Sequence, residues 1–319
     1  MKMNFQKFST LFFLLIILVG CDDSFSPKGE FEDGYSLFCV IDGNLLTQRA
    51  YLTKNYNPQN LTPETYDEDK SISGAELNLS YPDTSYTFLD SVLYSENDEK
   101  KFNAYFVKNF RSKGSNLFIK AVMPDGVELT SSLSCTKDLK FSYESIKGIK
   151  YDLEEIYTVA FYDKPEAFYF NPKLFINYSV RIGNEDIIKR IEVPKRYVVK
   201  NDSELPVYPE LALRNEYYYS ILIIEKTLRK ITEFEQKNYQ IIIKNLSLEV
   251  LEVSYPLAVY FEKNKTFSDG FTIKAQQPEF TNIKGGNGLF GYKYTSKLDV
   301  GFAKEWEKIF IDMGYKIKF

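Results

Sequence analysis

Cys21 is the residue whose surroundings specify its chemistry. Lys2 and Lys7 give the chain a positive start, residues 8–19 form a largely apolar run, and Leu18-Val19-Gly20-Cys21 closes it. A basic start, a short apolar run and a small residue before cysteine make up a secretory signal with a lipobox. The small residue admits a signal peptidase, and the Cys21 thiol is the nucleophile that receives diacylglycerol. The run is shorter than the roughly 20 apolar residues needed to cross a hydrocarbon core of about 30 Å, so a permanent transmembrane helix is the weaker reading. The mature chain is expected to start at Cys21, after a signal peptide of residues 1–20, and to be held to a membrane by lipid. The alternative is a cleaved signal with an incidental cysteine.

Other chemistries are mostly excluded. The chain has no histidine, which removes Ser-His-Asp and Cys-His catalysis, histidine-ligated zinc and the one side chain that titrates near neutrality without heavy perturbation. A carboxylate pair, as in glycoside hydrolases, is the hydrolytic chemistry left. The candidates Glu154 with Glu155 and Asp67 with Glu68 are adjacent in sequence, so in a strand their side chains point apart. The run Asp67-Glu68-Asp69-Lys70 has no calcium-loop spacing and reads as a solvated face. No catalytic residue, no metal site and no cofactor is expected.

Once Cys21 is lipidated, Cys39 and Cys135 remain. Both lie in strand-like stretches, and they either pair in an oxidising compartment or sit apart as two buried thiols. The stretch Thr281-Asn282-Ile283-Lys284-Gly285-Gly286-Asn287-Gly288-Leu289-Phe290-Gly291 is a poor phosphate cradle, because no Lys-Ser/Thr follows the glycines. Gly285, Gly286, Gly288 and Gly291 are instead read as a tight structural turn between strands, where positive φ or close backbone approach demands glycine.

Composition sets the frame for these residues. Removing residues 1–20 takes away two lysines and no acid, which leaves 38 basic against 44 acidic residues and a net charge of −6. Such a chain, by its overall charge, is a poor candidate for nucleic acid or for peripheral attachment through anionic lipid head groups. Tyr (25) and Phe (26) are abundant while Trp occurs once, which favours strands, although an AT-rich coding sequence inflates the same residues.

The elements follow from period-two alternation. Residues 21–33 read as an acidic, flexible tether. Residues 35–41 alternate, with Leu37, Cys39 and Ile41 on one face and Phe38 and Val40 on the other, before Asp42-Gly43-Asn44 turns the chain. Further strands are expected at 50–53, 75–80, 86–94, 104–110, 117–123 and 127–133, the last two joined by Pro124-Asp125-Gly126. Short strands at this spacing describe an immunoglobulin-like β-sandwich over residues 34–145.

A boundary near Ser145 would lead into a second β-rich domain, residues 146–319, with one or two helices. Strands are expected at 156–162, 168–170 and 174–182, with a loop over 195–201. Residues 216–225 read equally as strand or buried helix. Residues 247–264 read as a helix broken at Pro256. A helix over 303–313 carries Trp306, Ile309, Phe310 and Met313 on one stripe with Gly314 as its C-cap, and a last strand follows at Tyr315, Ile317 and Phe319. The overall class is mainly β.

Taken together, the lipobox, the strand into Asp42-Gly43, the Ser73-Gly74-Ala75-Glu76-Leu77 stretch, the Pro124-Asp125-Gly126 turn and Asn282 to Gly291 resemble the Bacteroidota lipoprotein family known as domain of unknown function 4249. The acidic residues behind Cys21 are similar to the surface-export signals of such lipoproteins. The resemblance implies a location on the outer membrane, facing the cell exterior. It also implies a role as accessory to a TonB-dependent transporter, with no catalytic residues. A ligand-binding or transporter-assisting lipoprotein is the leading expectation. A structural or adhesive surface protein is the second, since Asp90-Ser91-Val92 resembles the Bacteroidota O-glycosylation acceptor and equally an ordinary strand segment. A carboxylate-pair glycoside hydrolase is the third.

Overall fold

The structure is a computed structural model and describes residues 34–55, 70–94, 101–137, 139–141, 156–162, 168–213, 216–235, 240–263, 280–302 and 306–317. The leader, Cys21, the tether, Asp67, Glu68, Ser145, Glu154 and Glu155 lie outside these residues. Eight strands come first: β1 (Tyr35–Asp42), β2 (Gln48–Lys54), β3 (Glu76–Tyr81), β4 (Thr84–Thr87), β5 (Leu89–Tyr94), β6 (Lys101–Val107), β7 (Asn116–Val122) and β8 (Glu128–Ser134). Then follow β9 (Lys140–Phe141), β10 (Ile156–Tyr162), β11 (Phe168–Ile182), β12 (Glu185–Val193), β13 (Arg196–Lys200), β14 (Ser203–Val207) and β15 (Glu216–Ser220). The chain continues through helix α1 (Ile221–Phe234), β16 (Gln240–Ser254), α2 (Tyr255–Lys263), β17 (Asn287–Val300), α3 (Trp306–Asp312) and β18 (Lys316–Ile317). The protein is mainly β, as its alternating sequence implies.

The first eight strands form two antiparallel runs, β1-β2-β6-β5 and β4-β3-β7-β8. Their alternation explains why they meet. Leu37, Cys39, Ile41, Ala50, Leu52 and Tyr105 from the first run join Leu77, Leu79, Leu117, Ile119 and Ala121 from the second in one buried cluster. The stretch 86–94 is not the single strand its alternation suggests. The chain leaves the second run after Thr87 and enters the first at Leu89, while Phe88, 4% exposed, is buried at the crossing. Its N–H donates to Leu77 O at 2.9 Å, so the break costs no unpaired backbone donor.

The first run does not stop at β1. Strand β17 pairs with β1 in parallel, from Ser36 opposite Asn287 to Asp42 opposite Lys293. The sheet then continues through β16 and β11 to β12. Strands from both sides of residue 145 therefore share one sheet, and residues 34–319 form one compact unit. The buried cluster that contains Leu37 also contains Trp306, Phe310 and Tyr315.

Four further elements differ from what the sequence suggests, the first being the strands expected at 168–170 and 174–182, which are the single strand β11. Strand β16 runs to Ser254, and a helix begins only at Tyr255. Leu246, Leu248 and Val250 are fully buried on one face, while Val253, on the other, packs with Leu257 and Ala258 of α2. A strand covered on both faces loses clean alternation and mimics helical spacing. Pro256 opens α2 rather than breaking a helix, because a first-turn residue has no intrahelical N–H bond to lose. Residues 216–225 are both candidates in succession, β15 and then α1, whose buried Ile221, Ile224, Leu228 and Ile231 form a helical stripe. The expected loop at 195–201 is instead the hairpin β13–β14, turned by Asn201 and Asp202 with φ of 50° and 57°. Two successive left-handed residues are what a two-residue hairpin turn needs, and Asn and Asp tolerate them.

At the C-terminus, α3 ends with Gly314 at φ 82°, its N–H on Ile311 O. Trp306 and Phe310 of that helix stack with ring centroids 5.7 Å apart, in the core.

Candidate functional site

Backbone passes closely against backbone where the glycine-rich stretch meets β1 and β8. Residues 281–284 run beside β8: Lys284 exchanges two backbone bonds with Thr130 (2.8 and 3.0 Å), and Ser131 Oγ donates to Asn282 O at 2.7 Å. The chain then turns through Gly285, at φ 85°, and enters β17 beside β1. The Asn282 side chain spans this turn. Its Nδ2 donates to Phe290 O at 2.8 Å and its Oδ1 accepts from Phe290 N at 2.9 Å. One amide thus imitates a neighbouring strand for one residue of β17.

The glycines fit because backbone passes against backbone. A Cβ on Gly286 would lie 2.6 Å from Leu129 Cδ2 and would also overlap Tyr35 O. On Gly288, at φ 117°, it would lie 2.7 Å from Leu37 C and 2.9 Å from Leu37 N, and would overlap Leu37 O. On Gly285 it would overlap Glu128 O, and on Gly291 it would press on α2 at 3.0 Å from Leu257 Cβ. A strand rather than a helix follows the turn, so no helix N-terminus is presented to a phosphate.

Beside this junction lies a buried hydroxyl cluster. Tyr292 of β17 donates to Thr136 O at 2.5 Å and shares a 2.8 Å bond with Ser112 Oγ. Burial pushes the Tyr292 phenol well above its ordinary range, so it stays protonated. Cys39 and Cys135 are both buried free thiols and are not joined in a disulfide. Cys39 lies in β1, whereas Cys135 follows β8 and donates to Ser115 O at 2.8 Å. Burial drives both thiols up, Cys135 to about 11. Protonated at neutral pH and enclosed, they are poor nucleophiles.

Gln48 and Glu252 are among the buried polar side chains that the sequence did not single out. Gln48, 2% exposed, uses its side chain to fasten the β1–β2 loop, and Glu252 is fully buried in β16. Glu252 was traceable, since it continues the inward series Leu246, Leu248, Val250. Gln48 left no such signal, because its position is set by the loop that it holds.

Among the described residues, Glu249 of β16 and Glu192 of β12 are carboxylates close enough to interact. Glu249 of β16 accepts from Lys297 Nζ at 2.8 Å and from Arg190 at 2.9 Å. Partial burial opposes its charge, but the ammonium and the guanidinium together hold its carboxyl below the ordinary range. Glu192 on β12 is shifted the other way, chiefly by burial. Two cations neutralise Glu249, which suits a structural ion pair better than a base or nucleophile. Its depressed folded pKa stabilises the protein above the unfolded value of about 4.3, a contribution lost as pH falls through the folded pKa. Glu249→Gln is therefore expected to cost about 0.5–1 kcal/mol at pH 7. The gap to the parent should close below about pH 4 in a thermal denaturation series.

No protein-family model and no curated protein matches the chain.

Proposed function

We propose that this chain is a non-catalytic lipoprotein anchored in the outer membrane through diacylglycerol on Cys21, facing the cell exterior, where it binds a ligand or assists a TonB-dependent transporter. The observation that carries the reading is Leu18-Val19-Gly20-Cys21 placed where the apolar run after Lys2 and Lys7 stops. Kinship with domain of unknown function 4249 belongs to the same proposal and rests on the motifs that end in Asn282 to Gly291.

The order of the first strands supports a recognition module. Taken as A, B, C, C′, D, E, F and G, β1 to β8 follow the order A-B-E-D and C′-C-F-G, which supports reading them as an immunoglobulin-like sandwich. Such a fold hosts many functions, so it argues for a scaffold that presents loops rather than for one ligand. The absence of histidine from the sequence, the enclosed thiols and the neutralised Glu249 support a non-catalytic role.

A structural or adhesive role is the second reading. It is favoured by β5, the strand that contains Asp90-Ser91-Val92. This strand ends the sheet with Leu89, Val92 and Tyr94 more than half exposed, the kind of edge that pairs with other chains.

The deciding experiment combines mass spectrometry of the native amino terminus with a pull-down from detergent-solubilised outer membranes, using Cys21→Ala as control. Acylated Cys21 and recovery of a β-barrel transporter above the control are expected. An intact leader or an unacylated terminus would overturn the anchoring, and an empty pull-down would overturn the transporter role.

A further inference from the structure

The loop between β1 and β2 is held rigidly and yet exposes two adjacent leucines. Leu45 N donates to Asp42 O at 3.0 Å, Asn44 N to Asp42 Oδ1 at 3.0 Å, and Asp42 N to Gln48 Oε1 at 2.9 Å. The buried Gln48 amide donates to Asp42 O (2.9 Å) and Leu45 O (2.7 Å), and Asn44 exchanges two bonds with the backbone of Thr295. A loop fixed so completely has no freedom to fold its apolar side chains inward. Leu45 is 55% exposed and Leu46 51%. Isolated surface leucines are ordinary, but an adjacent pair on a pinned tip presents a contiguous apolar spot.

A second loop sits against this tip and supplies charge. Phe110 N donates to Leu46 O at 2.9 Å, and the residues around Phe110 include Lys108 and Arg111, both exposed. Neither forms an ion pair among the described residues, whereas the nearby Lys293 is paired with Asp42 at 3.2 Å. Asn109 between them has φ 60°, a left-handed turn position that asparagine tolerates. The leucine pair is therefore flanked in the adjoining loop by two cations that no described carboxylate pairs with, a local positive spot on a chain whose overall charge is negative.

We infer that this tip is a second membrane contact, in which Leu45 and Leu46 enter the acyl boundary of an anionic lipid surface while Lys108 and Arg111 meet its head groups. Exposed apolar side chains next to basic ones are the features that bind lipid interfaces. Two leucines bind weakly alone, and one acyl chain is itself a marginal anchor, so the two contacts reinforce each other. The inference goes beyond the anchoring reading, and its test is separable because it uses protein without lipid.

The test is co-sedimentation of the mature chain carrying Cys21→Ala with vesicles of phosphatidylcholine alone or mixed with phosphatidylglycerol. Binding to the mixed vesicles is expected, falling as salt rises. Leu45→Ser with Leu46→Ser should reduce it by roughly tenfold or more. Lys108→Glu with Arg111→Glu should abolish the preference for anionic vesicles. Both double variants should melt with the parent, because the loop is held by backbone groups, Asn44 and Gln48. Equal sedimentation with and without the leucines, or no preference for anionic lipid, would overturn the inference. So would a parent that ignores vesicles and instead captures a membrane protein through the same residues.

Discussion

Gly288→Ala is expected to destabilise the protein by more than about 3 kcal/mol, enough to leave it largely unfolded at 37 °C if its stability is ordinary. One methyl group does this through two independent costs. Gly288 holds φ 117°, a conformation that alanine adopts only with strain of order 1–3 kcal/mol. The added carbon would also overlap the carbonyl oxygen of Leu37 and stand 2.9 Å from Leu37 N, and these are backbone atoms that cannot rotate away. Relief requires β17 to move off β1, which breaks the parallel ladder that joins the two halves of the long sheet. Gly301→Ala is the matched control. It lies just beyond the same strand, with no atom of the described residues within 4 Å of its added carbon and no positive φ, so a change within about 0.5 kcal/mol is expected. Urea denaturation of both variants decides the matter. Equal midpoints would show that β17 does not hold the sheet together.

That join is also where the sequence was least informative about architecture and most informative about local form. Local signals were legible: Leu37, Cys39 and Ile41 face the core together, and the Trp306 and Phe310 stripe lies on a helix that ends at Gly314. Local alternation fixes which face of a strand is buried but not which strand lies beside it. Strand β1 and its neighbour β17 are separated by roughly 250 residues, and nothing in either announces the other. Alternation also fails where both faces are covered, as in β16, whose mixed spacing resembles a helix. It fails again where a strand changes sheet: Phe88 interrupts no apolar pattern between Thr87 and Leu89, yet it marks the crossing.

The candidate site divides along the same line. The glycines at 285, 286, 288 and 291 stand out in the sequence because no other residue type tolerates such approach. The partners that they approach, Glu128, Tyr35, Leu37 and Leu257, are ordinary residues whose role exists only in the fold. The two thiols show the reverse case. Each is conspicuous in a chain with three cysteines, yet a shared compartment does not bring two side chains to bonding distance, and both end as packing atoms.

Asn282→Ala should cost about 2–4 kcal/mol, since it leaves both the N–H and the C=O of Phe290 without their partner in a partly buried place. The loss is expected to exceed that of a surface asparagine several-fold, because water reaches the freed groups poorly beside Phe290, which is fully buried. Asn282→Asp distinguishes the clamp from mere packing. The aspartate keeps an oxygen to accept from Phe290 N, but it faces Phe290 O with a second oxygen where asparagine has a donor. Ionised, that carboxylate is repelled, so its folded pKa is raised above the unfolded value of about 3.9. A raised acid costs stability above the unfolded pKa and recovers it as pH falls, since the protonated form donates again. Asn282→Asp should therefore be as unstable as Asn282→Ala at pH 7 and should approach the parent below about pH 4. Asn282→Ala should keep its deficit at every pH. If both variants track the parent in parallel across pH, the amide is not clamping β17, and the turn is held by the Lys284–Thr130 bonds and by Ser131 on Asn282 O.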